Sequence, residues 1–445
     1  MTGTQAEADD LARVVAERDA EVKRMARAAR DRAAASGALV WDPFDPAWRL
    51  DPFAVYAELR EHNPVHRSAL GFWVFTRHTD CLAILRDRRS SSDARTAAPE
   101  RLSALRTLDP GQIDGGAAEV FAEMAPFLFR DPPDHTRLRG LVQKAFTPRV
   151  VDGLRPRIAA ICDELVDAML ERGQADLVAD FAYPLPVQII VEMMGVPAED
   201  HERFREWSDA LARGLDPDFL LPSDAVQERL AGILNFVQYF AGLIDERRAD
   251  PGDDLISKLI QAEEQGDVLT QGELLSTCIL LLVAGHETTV NLISGGALAL
   301  MEHPDQQARL RADGGLMRSA VEEMLRYVSP VQLTGRVATG DMEVGGVELA
   351  AGDFSMLLIG SANHDPAVFE DPETFDVGRS ENPHLGFGFG LHHCLGAPLA
   401  RLEAQVALDT LLRRARELEL RADALSHKDN IVLRGLAALP VALRA

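Results

Sequence analysis

The chain has 445 residues, 47% of them hydrophobic, and carries a formal net charge of −24 at pH 7. A surface this negative repels phosphate backbones and anionic lipid headgroups, so we expect neither nucleic acid nor a membrane as a partner. The four cysteines lie far apart with no Cys-x-x-Cys pair, which favours free thiols in a reducing, cytoplasmic environment over a disulfide framework.

The domain organisation is predicted from composition. Residues 1–40 are rich in Ala and Arg, contain acidic residues and lack an apolar core, so they are typical of neither a signal peptide nor a transit peptide. We predict a helical or flexible tail there. No Pro/Ser-rich linker divides residues 41–445, which we therefore predict to be a single domain.

The first predicted elements form a small mixed α/β lobe. Helix-like patterns cover Pro52–Glu61 and Cys81–Arg86, and a strand-like run covers Phe72–Thr76. The next stretch, Arg88–Phe127, is rich in Ala, Ser, Gly and Asp and has weak periodicity. A connection of this length inside a compact protein is usually mobile or functional, so we predict a lid.

Helical periodicity dominates the middle of the chain. The segments predicted to be helical are His135–Phe146, Val150–Glu171, Pro184–Met194, Glu199–Arg213, Ser223–Arg248 and Leu255–Gln265. A longer helix follows at Thr270–Met301. It starts with a capping Thr270 and Glu273 three residues on, and its middle is apolar on nearly every side. We expect this helix to cross the centre of the molecule.

Short strands are predicted after this helical body. The segment Val331–Ile359 alternates with glycine turns such as Gly345–Gly346, and a Pro-rich irregular stretch and a last helix to about Arg416 follow. The predicted fold class is therefore mainly α with small β-sheets.

The most informative stretch runs from Gly386 to Arg401. Three alternating glycines permit backbone shapes barred to other residues and a close approach to a flat ligand. Cys394 follows at a predicted helix start, where the helix dipole and free amides favour the thiolate that a metal ligand requires. A buried cysteine in a glycine-rich turn, or a zinc site with His392 and His393, are alternatives, although no second Cys/His cluster has zinc-ligand spacing.

A second unusual motif lies in the long helix, at Ala284–Thr289. It places Gly285 in mid-helix at a cost of about 1 kcal/mol, and such a local violation often marks a functional site. Alternatively, Thr288 bonds back to the Ala284 carbonyl and Glu287 pairs with an unidentified cation.

Two charged pairs have helical spacing. Glu323 and Arg326 are three residues apart, which ordinarily makes an exposed ion pair worth roughly a few tenths of a kcal/mol. His135 and Arg139 are four residues apart on one helical face, which suits either a bound carboxylate or a solvated basic surface.

The cysteine stretch carries a resemblance to a known family. Phe387, Gly390, His392, Cys394 and Gly396 fit the cysteine-loop signature Phe-x-x-Gly-x-His/Arg-x-Cys-x-Gly of the cytochrome P450 family without a departure. The resemblance implies the fold of that family, with a large helical body, a long central helix and a minor β lobe. It also implies a haem b cofactor, with Cys394 as the axial ligand to the iron.

The resemblance also implies roles for the other motifs. In the family, an acid like Glu287 relays protons, and an alcohol like Thr288 positions the reduced oxygen species or its water. Arg379 stands where a third partner joins Glu323 and Arg326 in a structural triad. The residues implied to hold the haem are Phe387, Gly396 and the propionate ligands His135, Arg139, Arg336 and His392.

We accordingly predict a bacterial-type monooxygenase of secondary metabolism, which inserts one oxygen atom from dioxygen into an apolar organic substrate by hydroxylation or epoxidation. Electrons would come from NAD(P)H through ferredoxin and ferredoxin reductase, because the sequence shows no flavin or nicotinamide domain.

The rival hypotheses are a peroxide-driven hydroxylase and a non-catalytic haem sensor or carrier, neither of which needs Glu287 and Thr288. A basic patch for an acidic ferredoxin is expected at Arg137, Lys144, Arg149 and Arg401.

The residues that the resemblance places around the iron are mainly apolar. They suit a steroid, terpenoid, polyketide or fatty-acyl substrate better than a sugar or nucleotide, although ordinary core packing is the alternative for each. The candidates are Leu281, Ala284, Val331, Leu333 and Thr334.

Overall fold

A computed structural model of the chain describes residues 51–98, 125–200, 223–264 and 269–445, except 69 and 423. It also describes scattered residues between 20 and 50 and between 203 and 216. Most of the predicted tail and of the predicted lid, and about half of the predicted helix Glu199–Arg213, therefore lie outside the described residues.

The strands in the described residues are short and form small sheets. These strands are β1 (Val65–Arg67), β2 (Trp73–Phe75), β3 (Ser90–Ser91), β4 (Gln174–Asp176), β5 (Thr334–Ala338), β6 (Met342–Val344), β7 (Val347–Leu349), β8 (Phe354–Leu357), β9 (Glu417–Leu420) and β10 (Pro440–Arg444). One sheet has the order β1-β2-β8-β5-β3, another has the order β4-β10-β9, and β6 pairs with β7. The strand predicted at Phe72–Thr76 is confirmed in a shorter form, and so are strands within Val331–Ile359.

The β6–β7 hairpin explains the Gly345–Gly346 pair. Val344 faces Val347 across a two-residue turn, and the two glycines have φ of +61° and +81°. A tight turn of this type needs positive φ at both positions, which glycine adopts without strain.

The helices carry most of the chain. In the described residues they are α1 (Pro52–His62), α2 (His78–Arg86), α3 (Asp134–Gln143), α4 (Pro148–Gly153), α5 (Arg155–Arg172), α6 (Pro184–Met194), α7 (Ser223–Ala249), α8 (Leu255–Glu264), α9 (Gln271–Glu302), α10 (Pro304–Ala312), α11 (Met317–Tyr327), α12 (Ile359–Ala362) and α13 (Ala397–Arg414). The prediction of one continuous helix over Val150–Glu171 is wrong, because the helix is interrupted at Leu154. Pro156 is tolerated in the first turn of α5, whereas in a continuous helix its ring would clash with the Asp152 carbonyl.

The predicted central helix is α9. The Thr270 hydroxyl accepts from the Glu273 N–H at 3.1 Å, and the Thr270 N–H donates to Glu273 Oε2 at 3.0 Å. The helix is long and apolar enough to span a membrane, but 72% of its most apolar window is buried inside the protein. It packs against α6, α7, α11 and α13, so it is the core helix of the body.

Glycines let two neighbouring helices approach the central helix. A Cβ on Gly285 would lie 3.1 Å from Ile190 of α6, and a Cβ on Gly296 would lie 2.6 Å from the Met324 sulfur of α11. The mid-helix Gly285 therefore has a packing reason in addition to any functional one.

The C-terminal hairpin, residues 427–436, contacts the central helix. His427 and Leu436 form an isolated bridge within it. A second bridge joins Leu433 to Val331, so the hairpin also pairs with the segment that precedes β5. It thereby ties the minor lobe to the helical body.

Candidate active site

The cysteine loop, residues 386–396, is shaped by its glycines. Gly388 and Gly390 have φ of +66° and +71°, and a Cβ on Gly390 would lie 2.6 Å from the Leu85 carbonyl oxygen. The Cys394 N–H donates to the Phe387 carbonyl at 2.9 Å. Helix α13 begins shortly afterwards, so the loop places Cys394 just ahead of a helix N-terminus.

The ionisation of Cys394 departs from the expectation. Burial raises the pKa of the thiol, and this effect outweighs the Gly396 and Ala397 amides and the Arg139 guanidinium, which lower it. The helix N-terminus alone therefore does not produce a thiolate here. A thiol loses its proton when a metal ion coordinates it, so the site fits a thiolate ligand that forms on metal binding.

Two histidine rings and an arginine form a donor cluster in which His135 is buried and His392 and Arg336 are half-buried. The rings of His135 and His392 have centroids 4.2 Å apart. Among the described residues, neither ring nitrogen of His135 nor Nε2 of His392 has a hydrogen-bond partner. Arg336 donates to Thr334 Oγ1 at 3.1 Å and to the Gly335 carbonyl at 2.7 Å, and it has no other hydrogen-bond acceptor among the residues that the structure describes. Burial lowers the pKa of Arg336 to about 10 and that of His392 to about 3.

This donor cluster fits the propionates of a haem. Buried polar groups without acceptors are rare, and a group with two carboxylates would supply acceptors to all three side chains. Arg139 is placed differently, because its Nη2 donates to the His393 carbonyl at 2.6 Å and braces the cysteine loop. The zinc alternative gains no support, since no group of three His, Cys, Asp or Glu residues in the described ranges could hold a metal ion.

One stripe of the central helix is open. Ala284 is exposed and Thr288, one turn later, is half-buried, whereas Val283, His286 and Glu287 are buried. Thr288 Oγ1 donates to the Ala284 carbonyl at 3.1 Å, so the back-bond considered from the sequence is present. An exposed stripe on an otherwise buried helix marks a space beside it, and the Thr288 hydroxyl lies at its edge.

Glu287 pairs with a cation, Lys428, as the alternative interpretation of the Ala284–Thr289 motif expects. Lys428 Nζ lies 2.8 Å from Glu287 Oε1, and the glutamate side chain is 1% exposed. Asn291 Nδ2 lies 3.5 Å from the same oxygen, and Oε2 has no hydrogen-bond partner among the described residues. Sequence reasoning missed Lys428 because it lies 141 residues further along the chain, in an irregular segment.

Glu323, Arg326 and Arg379 meet in the interior. Arg326 Nε and Nη2 each lie 2.8 Å from a Glu323 oxygen, and Arg379 Nε lies 3.0 Å from Glu323 Oε2. The side chains of Glu323 and Arg326 are fully buried, so the interpretation as an exposed ion pair is wrong. Arg326 also donates to three backbone carbonyls, those of Asn363, Pro372 and Thr374. The triad thereby joins α11 to the irregular stretch that precedes the cysteine loop.

The candidate pocket residues have different surroundings. Ala284 is exposed and Val331 and Thr334 are half-buried, as expected of residues around an internal space. Leu281 is 7% exposed and packs in the main core. Leu333 is 2% exposed and packs in the core of the minor lobe, so for Leu333 the structure favours the core-packing alternative over the pocket.

The predicted basic patch is smaller than expected. Arg137 Nη2 lies 2.5 Å from Glu273 Oε1, and Arg401 binds both oxygens of Glu322 at 2.6 and 2.8 Å. These two charges are compensated by acidic partners that the sequence did not reveal. The exposed cations that remain from the prediction are Lys144 and Arg149.

Comparison with known proteins assigns this arrangement to a family. Residues 121–433 match the family model described as Cytochrome P450. The chain belongs to the cytochrome P450 family. It is 41% identical over 416 residues to the polyketide biosynthesis cytochrome P450 PksS of Bacillus subtilis (strain 168), over 91% of this chain and 99% of that one. It is also 41% identical over 404 residues to the cytochrome P450 monooxygenase PikC of Streptomyces venezuelae, over 88% of this chain and 91% of that one.

A solved P450 structure has the same fold. P450BioI, in complex with an acyl carrier protein ligated to hexadec-9Z-enoic acid, gives a TM-score of 0.81 at 39% identity, over 89% of this chain and 100% of that one. The P450 fold predicted from the cysteine loop is therefore confirmed. The enzyme class is confirmed as well: the chain is an oxygenating haem oxidoreductase related to bacterial P450s of secondary metabolism.

Proposed function

We propose that this P450 inserts one oxygen atom from dioxygen into an apolar organic substrate, by hydroxylation or epoxidation. Residues 41–445 act as one catalytic domain in the cytoplasm, and electrons pass from NAD(P)H through ferredoxin reductase and ferredoxin. The observation that carries the proposal is the open stripe of the central helix, where the half-buried Thr288 directly follows a buried acid, Glu287, in the sequence. A protein that only carries haem needs neither group, and a peroxide-driven enzyme needs no proton relay.

The donor cluster holds the cofactor in this proposal. His135, His392 and Arg336 bind the propionates, Arg139 braces the cysteine loop and adds a positive charge beside them, and Cys394 ligates the iron. When bound, the haem supplies the binding and reductive activation of dioxygen. Phe387 and Gly396 belong to the loop that encloses the thiolate.

Proton delivery falls to two groups of the central helix. A hydroxyl donates one hydrogen bond while accepting others, so the Thr288 side chain can pass a proton from water to a reacting group at the open stripe. Its present acceptor is the Ala284 carbonyl at 3.1 Å, from which a small rotation frees it. Glu287 is the acid that exchanges protons with this hydroxyl through water.

For the substrate we propose a polyketide or fatty-acyl chain. The residues at the internal space include the exposed Ala284 and the half-buried Val331, whose side chains favour hydrocarbon over hydroxyl groups. The relative PksS is named for polyketide biosynthesis, and P450BioI was solved with an acyl carrier protein that carries a hexadecenoic chain. These names support an acyl or polyketide substrate without fixing its length.

Replacing Thr288 by Ala tests the proposal. The haem-loaded enzyme is supplied with ferredoxin, its reductase and those fatty acids and macrolactones that shift the haem spin state. We expect Thr288→Ala to keep oxidising NAD(P)H but to form roughly tenfold less product per electron pair, because proton delivery is impaired.

Ser294→Ala is the matched control. The Ser294 hydroxyl makes the same kind of back-bond, to the Val290 carbonyl at 2.7 Å, in a buried part of the same helix. It should leave the product yield unchanged. Wild-type yield in Thr288→Ala, or full activity with hydrogen peroxide in place of the electron-transfer proteins, would contradict the proposal.

A further inference from the structure

The C-terminal hairpin reaches the acid of the central helix through one side chain. Lys428 Nζ lies 2.8 Å from Glu287 Oε1, and the two side chains are 24% and 1% exposed. The lysine therefore extends from the solvent side to a carboxylate that is otherwise enclosed.

The contact between hairpin and helix is tight. The Lys428 N–H donates to the Gly435 carbonyl at 2.9 Å, which places both residues in one narrow ladder. A Cβ on Gly435 would lie 1.9 Å from Asn291 Oδ1, one helical turn beyond Glu287. Hairpin and helix thus touch at two successive turns, and this double contact keeps the lysine beside the carboxylate.

Lys428 is the main polar partner of the Glu287 carboxylate. Oε2 has no hydrogen-bond partner in the described part of the chain, so Lys428 supplies the main compensation for a buried negative charge. Removing one partner of a buried ion pair leaves the other uncompensated, and a carboxylate in that position takes up a proton or turns toward water.

We propose that Lys428 is a positioning residue for Glu287, whose carboxylate it holds turned to the hairpin until a proton is required at the open stripe. The inference rests on the relay role proposed above for Glu287. Neither the cysteine-loop motif nor the central-helix motif contains this lysine.

The positioning role of Lys428 can be tested on the haem-loaded enzyme by two measurements that need no substrate. Lys428→Met should add a protonated-carboxyl band to the variant-minus-wild-type infrared spectrum, and the band should shift in D2O. The band should be absent from Lys428→Arg and from Lys428→Met combined with Glu287→Gln. In urea, Lys428→Met should raise the unfolding constant roughly tenfold to hundredfold, and this rise should vanish in the Glu287→Gln background.

Lys258→Met is the control for loss of a lysine, because the Lys258–Asp253 pair, at 2.8 Å, is exposed. It should change neither readout. If Lys428→Met also leaves the infrared spectrum and the unfolding constant unchanged, the positioning role is overturned.

Oxygen chemistry separates this inference from the proposed function. Lys428→Met should lower the product per electron pair by about fivefold or more and raise the solvent deuterium isotope effect, and Lys428→Arg should restore both. If the infrared and urea results are as expected but neither Glu287→Gln nor Lys428→Met changes the product yield, the relay role of Glu287 fails, whereas Lys428 still positions the acid.

Discussion

Three buried glutamates differ in how their charge is compensated. Glu323 lies between two arginines, and Glu287 has one lysine at 2.8 Å. Glu403 of α13 is 1% exposed and makes no ion pair with a described residue. Burial raises its pKa well above the ordinary 4.5, and the Thr289 side chain offsets this only in part. We therefore expect Glu403 to keep its proton to a higher pH than an ordinary glutamate does.

Glu403→Gln should stabilise the protein more as the pH rises. Between pH 4.5 and the raised folded pKa, the folded state binds more protons than the unfolded state, so wild-type stability falls with rising pH. The slope is at most about 1.4 kcal/mol per pH unit, and glutamine does not titrate. Urea unfolding of both proteins from about pH 5 to about pH 8 measures the difference. A difference that stays constant over this range would show that Glu403 ionises normally.

At the scale of elements, local signals were sufficient for prediction and distant contacts were not. The helix Pro184–Met194 has the predicted bounds, because a proline start and a following glycine are local signals. The helix over Val150–Glu171 was predicted unbroken because its apolar period continues past the proline that divides it. The pairs of Glu287 with Lys428 and of Arg401 with Glu322 join distant segments, so only tertiary packing reveals them.

The site itself was predictable to the extent that it depends on short motifs. The cysteine loop and the Glu323–Arg326 spacing led to residues that the structure brings together. For Leu333 the sequence leaves pocket and core packing open, because an apolar residue beside a pocket and one in a core have the same sequence pattern. The missing information is which side of β5 and its preceding segment faces the central helix.

Arg326→Lys should loosen the attachment of α11 to the irregular stretch. Lysine lacks the planar fork that binds both Glu323 oxygens and three carbonyls, so buried acceptors lose donors. We expect the free energy of unfolding in urea to fall by about 1–3 kcal/mol for each buried acceptor left without a donor. Arg413→Lys is the control, since its pair with Asp409, at 3.6 Å, is exposed; it should cost less than about 0.5 kcal/mol. Equal stability losses in the two variants would contradict the structural role of the triad.

At the scale of the whole molecule, net charge opposes an acidic redox partner. The chain carries −24, so a ferredoxin requires a local region of the opposite sign. Lys144 and Arg149 are exposed, and Arg149 lies on α4, which packs against α13 beyond the cysteine loop. These two cations are therefore suited to guide a partner to the cysteine side.

Charge reversal tests this docking. Lys144→Glu combined with Arg149→Glu should raise the ferredoxin concentration for half-maximal haem reduction about tenfold at low salt, and the effect should shrink as salt is added. Arg416→Glu combined with Arg444→Glu changes the net charge equally at exposed positions, one just before β9 and one on β10, and serves as the control. Equal effects of the two pairs would show that only total charge matters.

The most direct test of the central claim is the carbon monoxide difference spectrum of the dithionite-reduced, haem-loaded protein, beside Cys394→Ala and Thr288→Ala. Thiolate donation to the iron shifts the Soret band strongly to the red. We expect this band in the wild type and in Thr288→Ala and its loss in Cys394→Ala. A folded wild type that binds haem without the band, or a Cys394→Ala protein that keeps it, would contradict ligation of the iron by Cys394.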